Sequence, residues 1–179
     1  MSRTRYKFFE DGYPYFITCT VVGWLPVFTR PESVQEVLDS WKFLQREADM
    51  QLYAYVVLEN HLHWIAKAPG LSRVVQRFKA HTARRIIDLL ERRGGRTLLR
   101  QFEALKLKHK SHSEYQAWQE GSHPQEIFSD EMLLQKIEYI HNNPVERGFV
   151  DEMVHWRYSS ARNYAKMPGL IEVNTQWDC

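Results

Sequence analysis

Residues 51–67 read QLYAYVVLENHLHWIAK, and their interpretation decides the fold. Residues 51–58 are rich in β-branched and aromatic side chains and predict a strand. Glu59-Asn60 breaks the run, and Asn favours turns because its side chain can imitate a backbone turn. Residues 61–67 alternate well enough for a second strand, so the pair predicts a hairpin. Upstream, residues 13–22 (YPYFITCTVV) read as another strand, and 23–31 (GWLPVFTRP) as a loop. Residues 32–48 read as a helix, with Val34, Val37, Leu38, Trp41, Phe43 and Leu44 at helical spacing. Downstream, Pro69-Gly70 is turn material. Ser72 is a candidate cap for a helix to about Arg93, with a stripe of Val74, Val75, Phe78, Ile86, Leu89 and Leu90, stopped by Gly94-Gly95.

The order strand, helix, strand, strand, helix predicts a ferredoxin-like α+β domain: an antiparallel sheet with helices packed on one face. The fourth strand of such a sheet is the weakest element, and residues 98–107 are the candidate for it. Residues 96–125 otherwise lack periodicity and read as a loop, with 115–119 (YQAWQ) docked within it. Ser129 opens a further helix from Asp130 to about His141, with Leu133, Leu134, Ile137 and Ile140 as its core stripe. Asn142-Asn143-Pro144 predicts its end, because a residue before proline avoids the helical region. The 179 residues suit one domain, expected over 1–165, with 166–179 as a C-terminal tail.

Composition narrows the class. With 44% hydrophobic and 26% charged residues the chain has an ordinary globular balance. No stretch approaches the ~18 apolar residues of a spanning helix, so no membrane partner is expected. The basic start, Met1 to Lys7, is followed by no long apolar run, and no signal peptide is expected. Two cysteines, Cys19 and Cys179, make no disulfide framework, and the expected location is the reducing cytoplasm. The net charge of +2 hides an asymmetry. Residues 71–110 hold 12 Lys/Arg against 3 Asp/Glu, a local +9, and the other 12 basic and 19 acidic residues leave the remainder at −7. That distribution suits either a polyanion-binding face or a solvated helix surface.

The sharpest chemical feature is His61-Leu62-His63. Residues two apart on a strand share a face, so two imidazoles lie side by side as a half-site for a divalent metal. Taken alone, the pattern more often describes a pair of surface histidines. Other histidine chemistries lack support: position 65 is Ile where a histidine triad needs His, and no His-Glu-x-x-His occurs. No phosphate-binding Gly-rich loop is present, so no nucleotide cofactor is expected. The second feature is Tyr139 with Asn143, four apart and therefore on one helical face. A tyrosine can cut a phosphate ester if a metal neutralises the phosphate. Two histidines on a strand, an amide oxygen on a helix and a tyrosine one turn away form such a set.

Three stretches, YVVLENHLHW (55–64), YIHNNPVERGFV (139–150) and HWRYSSARNY (155–164), resemble REP-associated tyrosine transposases, single-tyrosine members of the HUH endonuclease superfamily. The resemblance runs from about Tyr13 to Tyr164. It implies a ferredoxin-like HUH fold, a Mg²⁺ or Mn²⁺ cofactor held by His61, His63 and Asn143, and Tyr139 as the nucleophile. It also implies action on single-stranded DNA near hairpins through a 5′-phosphotyrosine and a free 3′-hydroxyl. Departures are Glu59 before Asn60-His61, Gly-Ser-His-Pro124 in place of aromatic residues, and a long insertion over 94–113. Tyr158 and Tyr164 read as packing residues.

The resulting expectation is a metal-dependent DNA nickase and strand-transfer enzyme. Arg73, Arg77, Lys79, Arg84 and Arg85, on the helix after the histidine strand, are the candidates for tracking backbone phosphates. If Asn143 is only a helix cap, the third metal ligand is expected among Glu59, Glu138 and His123. His141 faces away, and His141→Ala is expected to be mild. The competing readings are a hairpin-binding protein of the same fold that does not cut, and an RNA-binding regulator using the basic helix with Trp24, Trp118 and Trp156. Oligomeric state is left open.

Overall fold

The structure, a computed structural model, describes residues 12–177. The basic segment Met1–Lys7 and Cys179 lie outside the described residues. The chain order is β1 (Tyr15–Thr20), α1 (Pro31–Glu47), β2 (Gln51–Val57), β3 (His61–Lys67), α2 (Leu71–Arg92), α3 (Arg96–Ala104), β4 (Gln125–Glu126), α4 (Asp130–Glu146) and α5 (Ala161–Tyr164). The four strands form one antiparallel sheet in the order β2-β3-β1-β4, the ferredoxin-like arrangement. No helix among the described residues is long and apolar enough to cross a membrane.

The pleat sorts the side chains into two cores. Tyr15, Ile17 and Cys19 of β1, Tyr55 and Val57 of β2, and Leu62, Trp64 and Ala66 of β3 point to one face. There α1 and α2 cover them, with Trp41 and Phe78 stacked at 5.6 Å and Trp64 at 5.5 and 5.1 Å from those two rings. Phe16, Ala54, Val56 and Ile65 point the other way, against Leu133, Ile137 and Ile140 of α4. The two crossover helices thus share one face as expected, and α4 adds a third layer on the opposite one. Burial on both faces explains why β2 and β3 read as near-continuous apolar runs.

Two local expectations are corrected. Residues 98–107 supply no strand. They fall largely within α3, because Leu99 and Phe102 are three apart and both reach the core. The fourth strand is only Gln125–Glu126, beside Tyr15 and Phe16, too short to show a hydrophobic alternation. The helix opened by Ser129, whose side chain accepts from the Met132 amide at 3.2 Å, runs on through Pro144 to Glu146. Proline removes one backbone donor, but Asn143 and Pro144 are buried, and packing outweighs the local preference. Residues 166–177 are docked: Ile171 is buried, the Asn174 amide donates to the Leu52 carbonyl, and Trp177 packs on Tyr164. Within the patch 115–119, Ala117 and Gln119 dock as expected at the end of β1 and just beyond it, the Val22 amide donating to the Ala117 carbonyl and that of Gln119 to the Thr20 carbonyl.

The open edge of β2 is covered from the C-terminal side. The Val57 amide donates to Tyr158 and that of Ser160 to Tyr55. Ser160 Oγ accepts from the Tyr55 amide at 2.9 Å and pairs with His141 Nε2 at 2.8 Å. His141 is therefore a buried link between α4 and the sheet edge. Its truncation to Ala removes this link, a structural cost at odds with the mild effect expected from sequence. Burial pushes its imidazole down to about 4. The unfolded chain then binds more protons than the native one between about pH 4 and 6.5, and stability falls as pH drops through that window. Going from pH 7 to pH 5 should cost roughly 2 kcal/mol through His141. His141→Gln keeps hydrogen-bonding groups and cannot titrate, so its urea midpoint should depend less steeply on pH. Equal slopes in variant and parent would mean that His141 is charged in the native state.

Candidate metal and nucleophile site

His61 and His63 point to the α4 side of the sheet, opposite the face that carries Leu62 and Trp64. Their rings lie 5.0 Å apart, centroid to centroid. Each has its Nδ1 engaged: that of His63 with Thr18 Oγ1 across the β1–β3 ladder at 2.9 Å, and that of His61 with Asn60 Oδ1 at 2.8 Å. An Nδ1–H directed at these oxygens leaves the Nε2 lone pair of each ring for a ligand, the orientation used for metal binding. Burial pushes His61 down to about 4, with Arg147 lowering it further and Glu59 opposing. Burial likewise takes His63 to about 3, assisted by His61, Lys136 and Arg147. Both imidazoles are neutral at physiological pH, the state in which imidazole binds a metal.

Helix α4 brings Tyr139 to the same place. Its ring lies edge-on to His63 at 5.5 Å and to Phe16 at 5.9 Å, and it is 44% exposed. Asn143, one turn on, is 7% exposed, and its Oδ1 is buried without a hydrogen-bond partner. A further turn on, Arg147 pairs with Glu59, which immediately precedes Asn60 and His61. Thus α4 passes the histidine end of β3 with residues 139, 143 and 147 on one side. A buried acceptor without a partner is costly and calls for an explanation. An amide oxygen one turn beyond Tyr139, on the helix that passes two neutral imidazoles, suits a hard divalent ion. The residues fit a metal held by His61, His63 and Asn143. Among the described residues no third His, Cys, Asp or Glu joins a metal-binding cluster, so the alternatives Glu59, Glu138 and His123 gain no support.

The basic candidates are distributed differently. Arg73, Arg77 and Arg84 are exposed on α2, in the layer on the far side of the sheet from the histidines. Lys79 is drawn inward: its Nζ donates to the carbonyls of Gln119, at 2.6 Å, and Gly121. Arg85 makes a two-pronged ion pair with Glu36 of α1, at 2.8 and 3.2 Å. The cations whose charge reaches the histidines are instead Lys136, which sits 5.0 Å over the Phe16 ring, and Arg147. Sequence reading passed over Lys136, although its place three residues before Tyr139 puts it on a neighbouring position of the helix surface. It also passed over Thr18 and gave Asn60 only a turn role, since their partners are set by cross-strand register and turn geometry. Tyr164 is a packing residue as expected, its hydroxyl donating to the Tyr53 carbonyl at 2.9 Å.

No family model matches the chain, and no curated protein matches its sequence. Among solved structures the chain is similar to a REP-associated tyrosine transposase bound to a REP hairpin. The TM-score is 0.63 at 18% identity, over 99% of this chain and 95% of that one. The likeness extends over the whole domain and is one of fold.

Asn143→Ala should raise the Mn²⁺ concentration that half-saturates the protein, about tenfold or more for a lost ligand, measured by isothermal titration calorimetry. Without metal its melting temperature should stay within a few degrees of the parent, because the truncation removes an acceptor that has no partner. A large loss of stability with unaltered Mn²⁺ affinity would make Asn143 a structural residue only.

Proposed function

We propose that the chain is a metal-dependent endonuclease that nicks and rejoins single-stranded DNA at hairpins, with Tyr139 as nucleophile. The observation that carries this reading is the convergence of His61, His63 and Tyr139 from two elements far apart in sequence, with a buried, unpaired Asn143 oxygen one helical turn beyond Tyr139. The likeness to a transposase bound to a hairpin supports the substrate class. His61, His63 and Asn143 would hold a divalent ion, and when bound it would neutralise the scissile phosphate and polarise its P–O bonds.

The chain's own residues do the rest. Tyr139, half out of the protein on the rigid α4, presents its hydroxyl to a phosphate lying over the histidine pair. Its oxygen forms a bond to phosphorus while the bond to the 3′-oxygen breaks. The tyrosine proton is given up to solvent and the departing 3′-oxygen takes one. The products are a 5′-phosphotyrosine and a free 3′-hydroxyl, and attack by a 3′-hydroxyl reverses the step. Phe16 and His63 hold the tyrosine ring at its edges, which limits the orientations it samples. Lys136 and Arg147 flank the site and attract the phosphate backbone. Arg73, Arg77 and Arg84 reach a different part of a bound hairpin, since α2 lies in the other layer.

Tyr139→Phe should bind hairpin DNA with unchanged affinity and form no covalent adduct with Mn²⁺, as judged by a denaturing-gel shift of labelled oligonucleotide. An adduct in this variant would transfer the nucleophile to another tyrosine. An adduct with RNA of the same sequence, and none with DNA, would make the substrate RNA. Reversing charge at Arg77 and Arg84 together should weaken binding and flatten its salt dependence by about two released counterions, while the cleavage rate of bound DNA stays the same. An unchanged salt slope would leave these arginines as a solvated surface.

A further inference from the structure

Of the three tryptophans that the sequence offers for nucleic-acid stacking, two are committed elsewhere. Trp118 is buried, its Nε1 donating to Thr82 Oγ1, and Trp156 donates its Nε1 to the Val57 carbonyl. Trp24 is 55% exposed and sits in the loop between β1 and α1. Its ring lies edge-on to His61 at 5.5 Å, so the row of rings continues from Phe16 through His63 and His61 to Trp24.

The backbone holding it is unusual. Gly23 and Trp24 both have left-handed φ, +62° and +56°, and the Leu25 amide closes the turn onto the Val22 carbonyl. This is a tight turn in which both central residues need φ > 0, a conformation that Gly or Asn adopts readily and a bulky ring does not. At Gly23 an added Cβ would collide with Leu105 Cδ1, so Leu105 packs directly against the turn. From the other side Asn60 Nδ2 donates to the Trp24 carbonyl at 3.2 Å, while Oδ1 of the same side chain pairs with His61. One amide therefore fixes both a candidate metal ligand and the turn beside it. The turn holds a large ring in an unfavourable backbone geometry and leaves more than half of it in water, which is poor use of a tryptophan for stability. Such a strained residue beside a site points to function.

We infer that Trp24 is a stacking platform for one unpaired nucleobase of the DNA strand next to the phosphate held at His61 and His63. An exposed indole face accepts any base by stacking, whereas the edge turned to His61 ties the ring to the site. The inference rests on the proposed DNA-cleaving function and adds a position at which the single strand is held before Tyr139 attacks. It makes Trp24 a binding and positioning residue with no part in bond breaking.

The test uses the full chain carrying Tyr139→Phe, without added metal, so that binding is read apart from cleavage. A fluorescein-labelled DNA hairpin with single-stranded flanks is titrated by anisotropy, alongside a set in which each flank nucleotide in turn is abasic. One abasic position should weaken binding about tenfold. With Trp24→Ala added, the intact and that abasic oligonucleotide should bind equally and at the weakened level. Trp24→Phe should restore most of the difference, whereas Trp24→Leu, which keeps apolar bulk without a flat ring, should not. Melting curves that match the parent exclude a collapsed loop, and if Trp24→Ala melts early the Leu and Phe variants carry the comparison. Binding of the hairpin with no abasic position coupled to residue 24 overturns the platform and leaves the proposed function standing. No hairpin binding at all overturns the proposed function and the platform with it.

Discussion

The alternation of side chains along β3, clamped between β1 and β2, is the constraint on which the molecule depends. Leu62, Trp64 and Ala66 are committed to the core beneath α1 and α2, and that commitment leaves His61 and His63 no choice of face. A slip of one residue would send the imidazoles toward the Trp41–Phe78 stack and turn Trp64 toward the face covered by α4. The cross-strand hydrogen bond between Thr18 Oγ1 and His63 Nδ1 reinforces the same register.

The third layer turns that register into a site. Helix α4 is apolar where it meets Phe16, Ala54, Val56 and Ile65, and polar where it passes the histidine end of β3. Its apolar half sets the depth at which it sits, through Leu133, Ile137 and Ile140. That depth takes Asn143 out of water with its oxygen unpaired, and leaves Tyr139 half exposed. A folded chain tolerates a buried acceptor without a partner only when other contacts over-determine its position. Here the apolar stripe, the His141–Ser160 link and the Arg147–Glu59 pair hold the helix at three points along its length.

Charge is divided between the two layers. Around the histidines, burial keeps both rings neutral, assisted by Arg147 at each and by Lys136 at His63. The larger basic excess of residues 71–110 lies on the far layer. Part of it there is spent inside the molecule, with Arg85 bound to Glu36 and Lys79 holding the 119–121 loop. Burial lowers the pKa of Lys79, and two carbonyls take up its donors. A count of basic residues therefore overstates the free positive surface, and the exposed share is carried by residues such as Arg73, Arg77 and Arg84.

What the residues alone determined was whatever depends on local period. The hairpin over 51–67, the helices with stripes such as Val34 to Leu44 and Val74 to Leu90, the Ser129 cap and the shared face of His61 and His63 all follow from spacings of two, three or four residues. Only the tertiary structure decided which of these surfaces meet. It set α4 on the face away from α1 and α2, carried that helix through Pro144, and made a helix of residues expected as the fourth strand. It captured Lys79 and Arg85, left the Asn143 oxygen without a partner, and joined Trp24 to His61 through one asparagine. The physical reason is range. Periodicity records which side of an element is apolar, whereas a partner 36, 49 or 88 residues away is chosen by how whole elements pack.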